Sequence, residues 1–135
     1  MRVTVDTNVL VRGAVLDDSD QARLAAELLR TAELIAVTLP GLCEFVWVLT
    51  RGYRCAASEV LGMIRSLLDS ATVQVDRPAV EAGLAVLEAG GDFADGVIAF
   101  DGRRLGGEVF VSFDPKAVEL IASAGGEARL LQTQR

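Results

Sequence analysis

Five carboxylates stand at breaks in the local pattern: Asp6 in VTVDTNVL, Glu44 in LPGLCEFVWVL, Asp92 and Asp95 in GGDFADG, and Asp114 in VSFDP. Asp6 interrupts an apolar run that valine or isoleucine would continue, and burying an unpaired carboxylate is expensive. The chain has no histidine. That removes Ser/His/Asp hydrolysis, imidazole acid–base catalysis and imidazole metal sites together. Catalysis would have to come mostly from carboxylates, whose oxygens suit hard divalent cations such as Mg²⁺ or Mn²⁺. Acids gathered at about 4 Å would repel by roughly 4 kcal/mol per pair at an effective dielectric of about 20, a conflict that a cation resolves.

The elements that must position these acids alternate in period. Residues 2–6 read as a buried strand, and LIAVT at 34–38 and TVQV at 72–75 as two more. EVFVSF at 108–113 and ARLL at 128–131 complete the set. Between them lie helical patterns. One follows the polar Asp17-Asp18-Ser19 stretch, with Leu24, Leu28 and Leu29 on one face. Another covers 40–51, with Pro40 in its first turn. A third covers 57–69 on Val60, Leu61, Ile64, Leu67 and Leu68. Helices over 78–89, 93–105 and 115–124 end at Gly90-Gly91, Gly106-Gly107 and Gly125-Gly126. Strands separated by helices imply right-handed βαβ units and a parallel sheet covered on both faces, so the expected class is α/β, a three-layer α/β/α sandwich. In such sheets the ligand crevice lies beyond the carboxyl ends of the strands, where Asp6 and Asp114 fall.

The size of 135 residues fits one domain over 1–135, and a half-apolar, quarter-charged composition argues against disorder. No apolar run reaches the roughly 18 residues of a membrane span, and the start lacks a signal-peptide pattern, so a cytoplasmic protein is expected. Cys43 and Cys55 have no metal spacing and read as buried thiols. A net charge of −6 argues against a broad basic surface for nucleic acid but leaves room for local patches of arginine.

Each acid also has a purely structural reading. Asp92-Phe93-Ala94-Asp95 resembles a capping box with Asp92 as N-cap, and Asp114-Pro115 reads as an N-cap followed by a first-turn proline. Glu44 would complement a helix dipole, and Asp6 would close an Asx turn. Capping alone does not require acids at two strand ends and two helix starts of one crevice. The readings are compatible, since a cap fixes the rotamer that a metal ligand needs.

In VDTNVLVR, LCEFVWVL, GGDFADGVIA and VSFDP, in order along nearly the whole chain, the sequence resembles the PIN domains, and within them the VapC-type toxins of bacterial toxin–antitoxin pairs. The resemblance implies an Mg²⁺- or Mn²⁺-dependent ribonuclease that hydrolyses RNA phosphodiesters by metal-activated water. Asp6, Glu44, Asp95 and Asp114 would form its acidic site. Asp92 would be an auxiliary ligand, and Asn8 and Ser112 would orient the carboxylates. It also implies a small VapB-like antitoxin and a homodimer. Two departures stand out: Asp101, read as solvated, and Gly96, where alanine would be the better helix former.

Arg12, Arg51, Arg54, Arg103 and Arg104 are candidates for RNA or antitoxin contact; Arg51 lies seven residues after Glu44, a same-face spacing in an α-helix. Each arginine reads equally well as half of a surface salt bridge. Phe45, Trp47 and Leu49 are candidates for antitoxin or dimer contact, although most such side chains are core. Two other readings compete. A haloacid-dehalogenase-like phosphatase also begins with an aspartate after its first strand, but needs a second acid where this chain has Asn8. A non-catalytic PIN-type binding module would not need all four acids.

Overall fold

A computed structural model describes residues 1–15, 17 and 19–133. The chain divides into two compact units, Met1–Arg77 and Pro78–Arg135. The fold is mixed α/β with helix-flanked parallel strands, the class expected from the alternating periods.

In the first unit, strands β1 (Arg2–Thr4), β2 (Leu34–Ala36) and β3 (Val73–Gln74) form a parallel sheet in the order β1-β2-β3. Arg2 pairs with Leu34 and Ile35 with Val73. Helix α1 (Thr7–Ala14) follows β1, α2 (Asp20–Thr31) precedes β2, and α3 (Leu39–Trp47) and α4 (Ala57–Asp69) separate β2 from β3. Val60, Ile64 and Leu68 give α4 a fully buried stripe, as its 3–4 spacing requires. Helix α2 differs from expectation. Leu24 is 71% exposed, and the buried line is Ala22 and Ala25. Leu29 instead packs at Gly13 of α1, where a β-carbon would stand 2.6 Å from Leu Cδ1. Asp18 lies outside the described residues.

Helix α1 was not anticipated, because its eight residues carry a glycine and three β-branched side chains, a weak propensity signal. Helix α3 does not run smoothly to residue 51. Val48–Gly52 forms a π turn closed by Tyr53 N–H donating to the Val48 carbonyl at 3.1 Å. The Thr50 hydroxyl donates to the Val46 carbonyl at 2.8 Å, competing with the backbone ladder there. In this wider turn Arg51 no longer lies on the α-helical line through Glu44, which corrects the same-face spacing.

In the second unit, β4 (Phe110–Ser112) and β5 (Ala128–Leu130) pair in parallel, Val111 opposite Arg129. Helices α5 (Arg77–Glu88), α6 (Phe93–Arg104) and α7 (Pro115–Ser123) close alike. The second glycine of each Gly-Gly pair donates back five residues, to Val86, Gly102 and Ile121 at 2.8–3.0 Å, while the first glycine is left-handed. This is the Schellman closure that the doubled glycines announce. Helices α5 and α6 cross at very close range. A β-carbon on Gly96 would stand 2.4 Å from the Ala82 carbonyl oxygen, and one on Gly83 would stand 2.7 Å from the Phe93 ring. Gly96 is therefore a contact point between helices, which explains why alanine is absent. None of the described helices is long and apolar enough to cross a membrane.

Candidate metal-binding acidic site

The acids fall into two groups by unit. Asp6 is not a buried strand residue. It is exposed, follows Val5, and caps α1, its Oδ1 accepting the Val9 N–H at 3.2 Å. The desolvation problem posed by VTVDTNVL therefore does not arise, because Val5 N–H continues the pairing to the Ala36 carbonyl at 3.3 Å and the chain turns outward at Asp6. Thr7 Oγ1 donates to the Gly41 carbonyl at 3.4 Å, tying the start of α1 to the first turns of α3, where Glu44 is exposed. Asn8 was expected to orient Asp6. Its side chain makes no hydrogen bond among the described residues, the backbone of Val9 doing that work, and it faces a groove of about 420 Å³ that Asp6, Arg12 and Gln21 also line.

In the second unit Asp92 caps α6, its Oδ1 accepting the Ala94 N–H at 3.0 Å, and Asp114 caps α7, its Oδ1 accepting the Lys116 N–H at 3.0 Å. Ser112 Oγ accepts the Asp114 N–H at 3.0 Å, so Ser112 fixes the backbone of this acid rather than its carboxylate. Asp6, Asp92 and Asp114 thus share one device. One oxygen is held by a helix N-terminus, while the other makes no hydrogen bond among the described residues.

Asp95 is different. It occupies the third position of α6, where a capping box would have it reach back to the Asp92 N–H, yet its carboxylate makes no hydrogen bond among the described residues. It is half-buried, and burial raises its carboxyl above the ordinary carboxylate range. The charges of Asp92 and Asp114 push it the same way. These three acids are therefore brought near one another from the start of α6 and the β4–α7 junction. Gly96, the next residue, seats this turn of α6 against α5.

Among the described residues, no three His, Cys, Asp or Glu side chains are gathered tightly enough to hold a metal ion. The donor chemistry nevertheless suits one: the oxygens are all carboxylate, several are free, and their mutual repulsion is unrelieved at Asp95. Such a set favours Mg²⁺ or Mn²⁺ over softer ions.

The arginines divide likewise. Arg12 pairs with Asp17 at 3.4 Å, both half-exposed, and Arg104 lies 4.6 Å over the Phe100 ring. Arg51, Arg54 and Arg103 have no partner among the described residues. Arg54 is left-handed, with φ 56°, the one described non-glycine residue with positive φ. Such a conformation costs a side-chain-bearing residue about 1–2 kcal/mol. Phe45 and Leu49 are fully buried and drop out as surface contacts, whereas Trp47 is exposed. The three-residue spacing from Glu44 is what could have singled out Trp47 in advance.

Among known proteins, no curated sequence matches this one. The PIN domain family matches residues 3–122. PIN domains are a family of nucleases, generally dependent on divalent metal ions. The match spans both units and includes every candidate acid, so the chain belongs to the PIN domain family.

Proposed function

We propose that this protein is an Mg²⁺- or Mn²⁺-dependent endoribonuclease, the toxin of a cytoplasmic toxin–antitoxin pair, with Asp6, Glu44, Asp95 and Asp114 as its catalytic acids and Asp92 as auxiliary ligand. The observation that carries it is Asp95: a half-buried carboxylate with no hydrogen bond among the described residues, its carboxyl raised by burial and by two neighbouring acids, is what a divalent cation would relieve. These acids would hold a divalent ion, which would supply a water of lowered pKa and neutralise charge on the scissile phosphate and the leaving oxygen. The chain's own contribution is positional. Three aspartates have one oxygen pinned by helix caps and the other free, Ser112 holds the turn at Asp114, and the Gly96 crossing holds Asp95. By family resemblance, a small VapB-like antitoxin silences the site and the toxin pairs as a homodimer.

Purified protein is expected to cleave a structured RNA with Mg²⁺ or Mn²⁺, to lose cleavage in EDTA, and to regain it when metal is restored. Cleavage persisting in EDTA removes the metal reading. Expression alone should arrest growth and a co-encoded small protein should relieve it; growth without arrest would leave a nuclease but not a toxin.

A further inference from the structure

The chain's sole tryptophan and sole tyrosine, Trp47 and Tyr53, lie six residues apart. Both stand in solvent, 62% and 44% exposed. Large rings ordinarily contribute most when buried, and the neighbouring Phe45 and Leu49 are fully buried. The outward face of this segment therefore carries rings and charges rather than aliphatic side chains.

Three observations give that face a chemistry. Trp47 follows Glu44 by three residues within α3, so two exposed side chains are neighbours, about 5–6 Å apart at their β-carbons. Beyond Trp47 the helix widens into the π turn, a departure common at functional sites. Arg51 sits in that turn, and Arg54 follows in its left-handed conformation. Neither arginine has a hydrogen bond or ion pair among the described residues. Residues 43–55 thus hold one acid and two unpartnered cations in a chain of net charge −6.

We infer that Trp47, Arg51, Tyr53 and Arg54 form a docking strip for a single-stranded RNA segment beside Glu44, the rings stacking on unpaired bases and the guanidinium groups holding phosphates. The inference rests on the ribonuclease reading and specifies its substrate: unpaired loops rather than duplex. Aromatic faces interleaved with arginine suit single strands, whose bases are free to unstack, whereas a duplex keeps its bases stacked on one another. The local positive charge on an acidic protein complements a polyanion.

The test uses the full chain carrying Asp95→Asn, so that binding is read without cleavage. Because Trp47 is the only tryptophan, its fluorescence reports on the strip directly. A single-stranded oligoribonucleotide should quench it saturably, and a duplex of the same sequence should bind more weakly. Affinity should fall with salt at a log–log slope of about −1.4 for two phosphate contacts, at about −0.7 each. By anisotropy of a labelled oligonucleotide, adding Trp47→Leu should weaken binding roughly 5- to 150-fold, while Trp47→Phe, which keeps a ring, should retain most of it. In the otherwise native chain, Trp47→Leu should raise KM more than it lowers kcat.

Equal affinity of the Leu variant, or equal affinity for duplex, overturns the strip while metal-dependent cleavage leaves the ribonuclease reading standing. A Leu variant with unaltered RNA affinity but altered sedimentation makes this face an interface between protein chains and likewise overturns it. Quenching by RNA without any metal-dependent cleavage by the native chain supports the strip and sinks the ribonuclease reading.

Discussion

Asp6 and Asp95 are the same side chain near the start of a helix, one in each unit, and they do opposite things. Asp6 is exposed and occupied: it accepts a backbone N–H and removes an unsatisfied donor from α1. Asp95 is half-buried and idle, with no hydrogen bond among the described residues and two like charges nearby. An acid that stabilises its helix is explained by that service alone. An acid that costs stability needs another reason to be there, and strain of this kind gathers at functional sites.

The sharpest way to break this comparison is to neutralise each acid without changing its shape. Asp95→Asn should reduce cleavage to background while leaving the thermal midpoint unchanged or higher, because it removes repulsion and forfeits no hydrogen bond. A lower midpoint would give Asp95 a structural role and dissolve the contrast. Gly96→Ala should come next, costing about 1–3 kcal/mol in denaturant unfolding because the new methyl meets backbone at the α5–α6 crossing, and cleavage should fall with it. Helix propensity alone predicts the opposite sign, a gain of about 1 kcal/mol, so the sign decides whether that crossing seats Asp95.

For Asp6, alanine should cost about 1 kcal/mol of stability, whereas asparagine caps as well as aspartate and should leave stability nearly intact while abolishing cleavage. Equal stability of the two variants would show that the cap contributes nothing. Smallest is Arg54→Gly, expected to gain about 1 kcal/mol by relieving the left-handed backbone while weakening RNA cleavage. A gain in stability without loss of cleavage would separate that conformation from function.

Much of this was legible in residue order. The doubled glycines marked where α5, α6 and α7 stop, because left-handed closure admits few other residues. The spacing of Val60, Ile64 and Leu68 gave α4 its buried face. Helix α1 was hidden, since a short segment with glycine and β-branched residues folds on tertiary packing rather than propensity. The end of the first strand at Asp6 is legible, but the helix that Asp6 caps is not, so its exposed capping role is hidden with α1. The exposure of Leu24 and the closeness at Gly96 depend on distances to other helices, which periodicity does not encode. Among the acids, the caps at Asp92 and Asp114 were readable from spacing. The idleness of Asp95 was not, because the capping-box pattern promises a hydrogen bond that the fold does not make.

The π turn at Val48–Gly52 also has a meaning in chain length. It holds about one residue more than an α-helical turn would use, so deleting Thr50 would let α3 run on as an ordinary helix. Side chains beyond the deletion would then keep about their present register, whereas deleting a residue from an ordinary α-helix swings everything beyond it by about 100°. The segment Val48–Gly52 is thus a place where the chain takes up one residue of length locally, so that Tyr53 and Arg54 beyond it and Glu44 before it hold their directions while buried Leu49 stays seated between them.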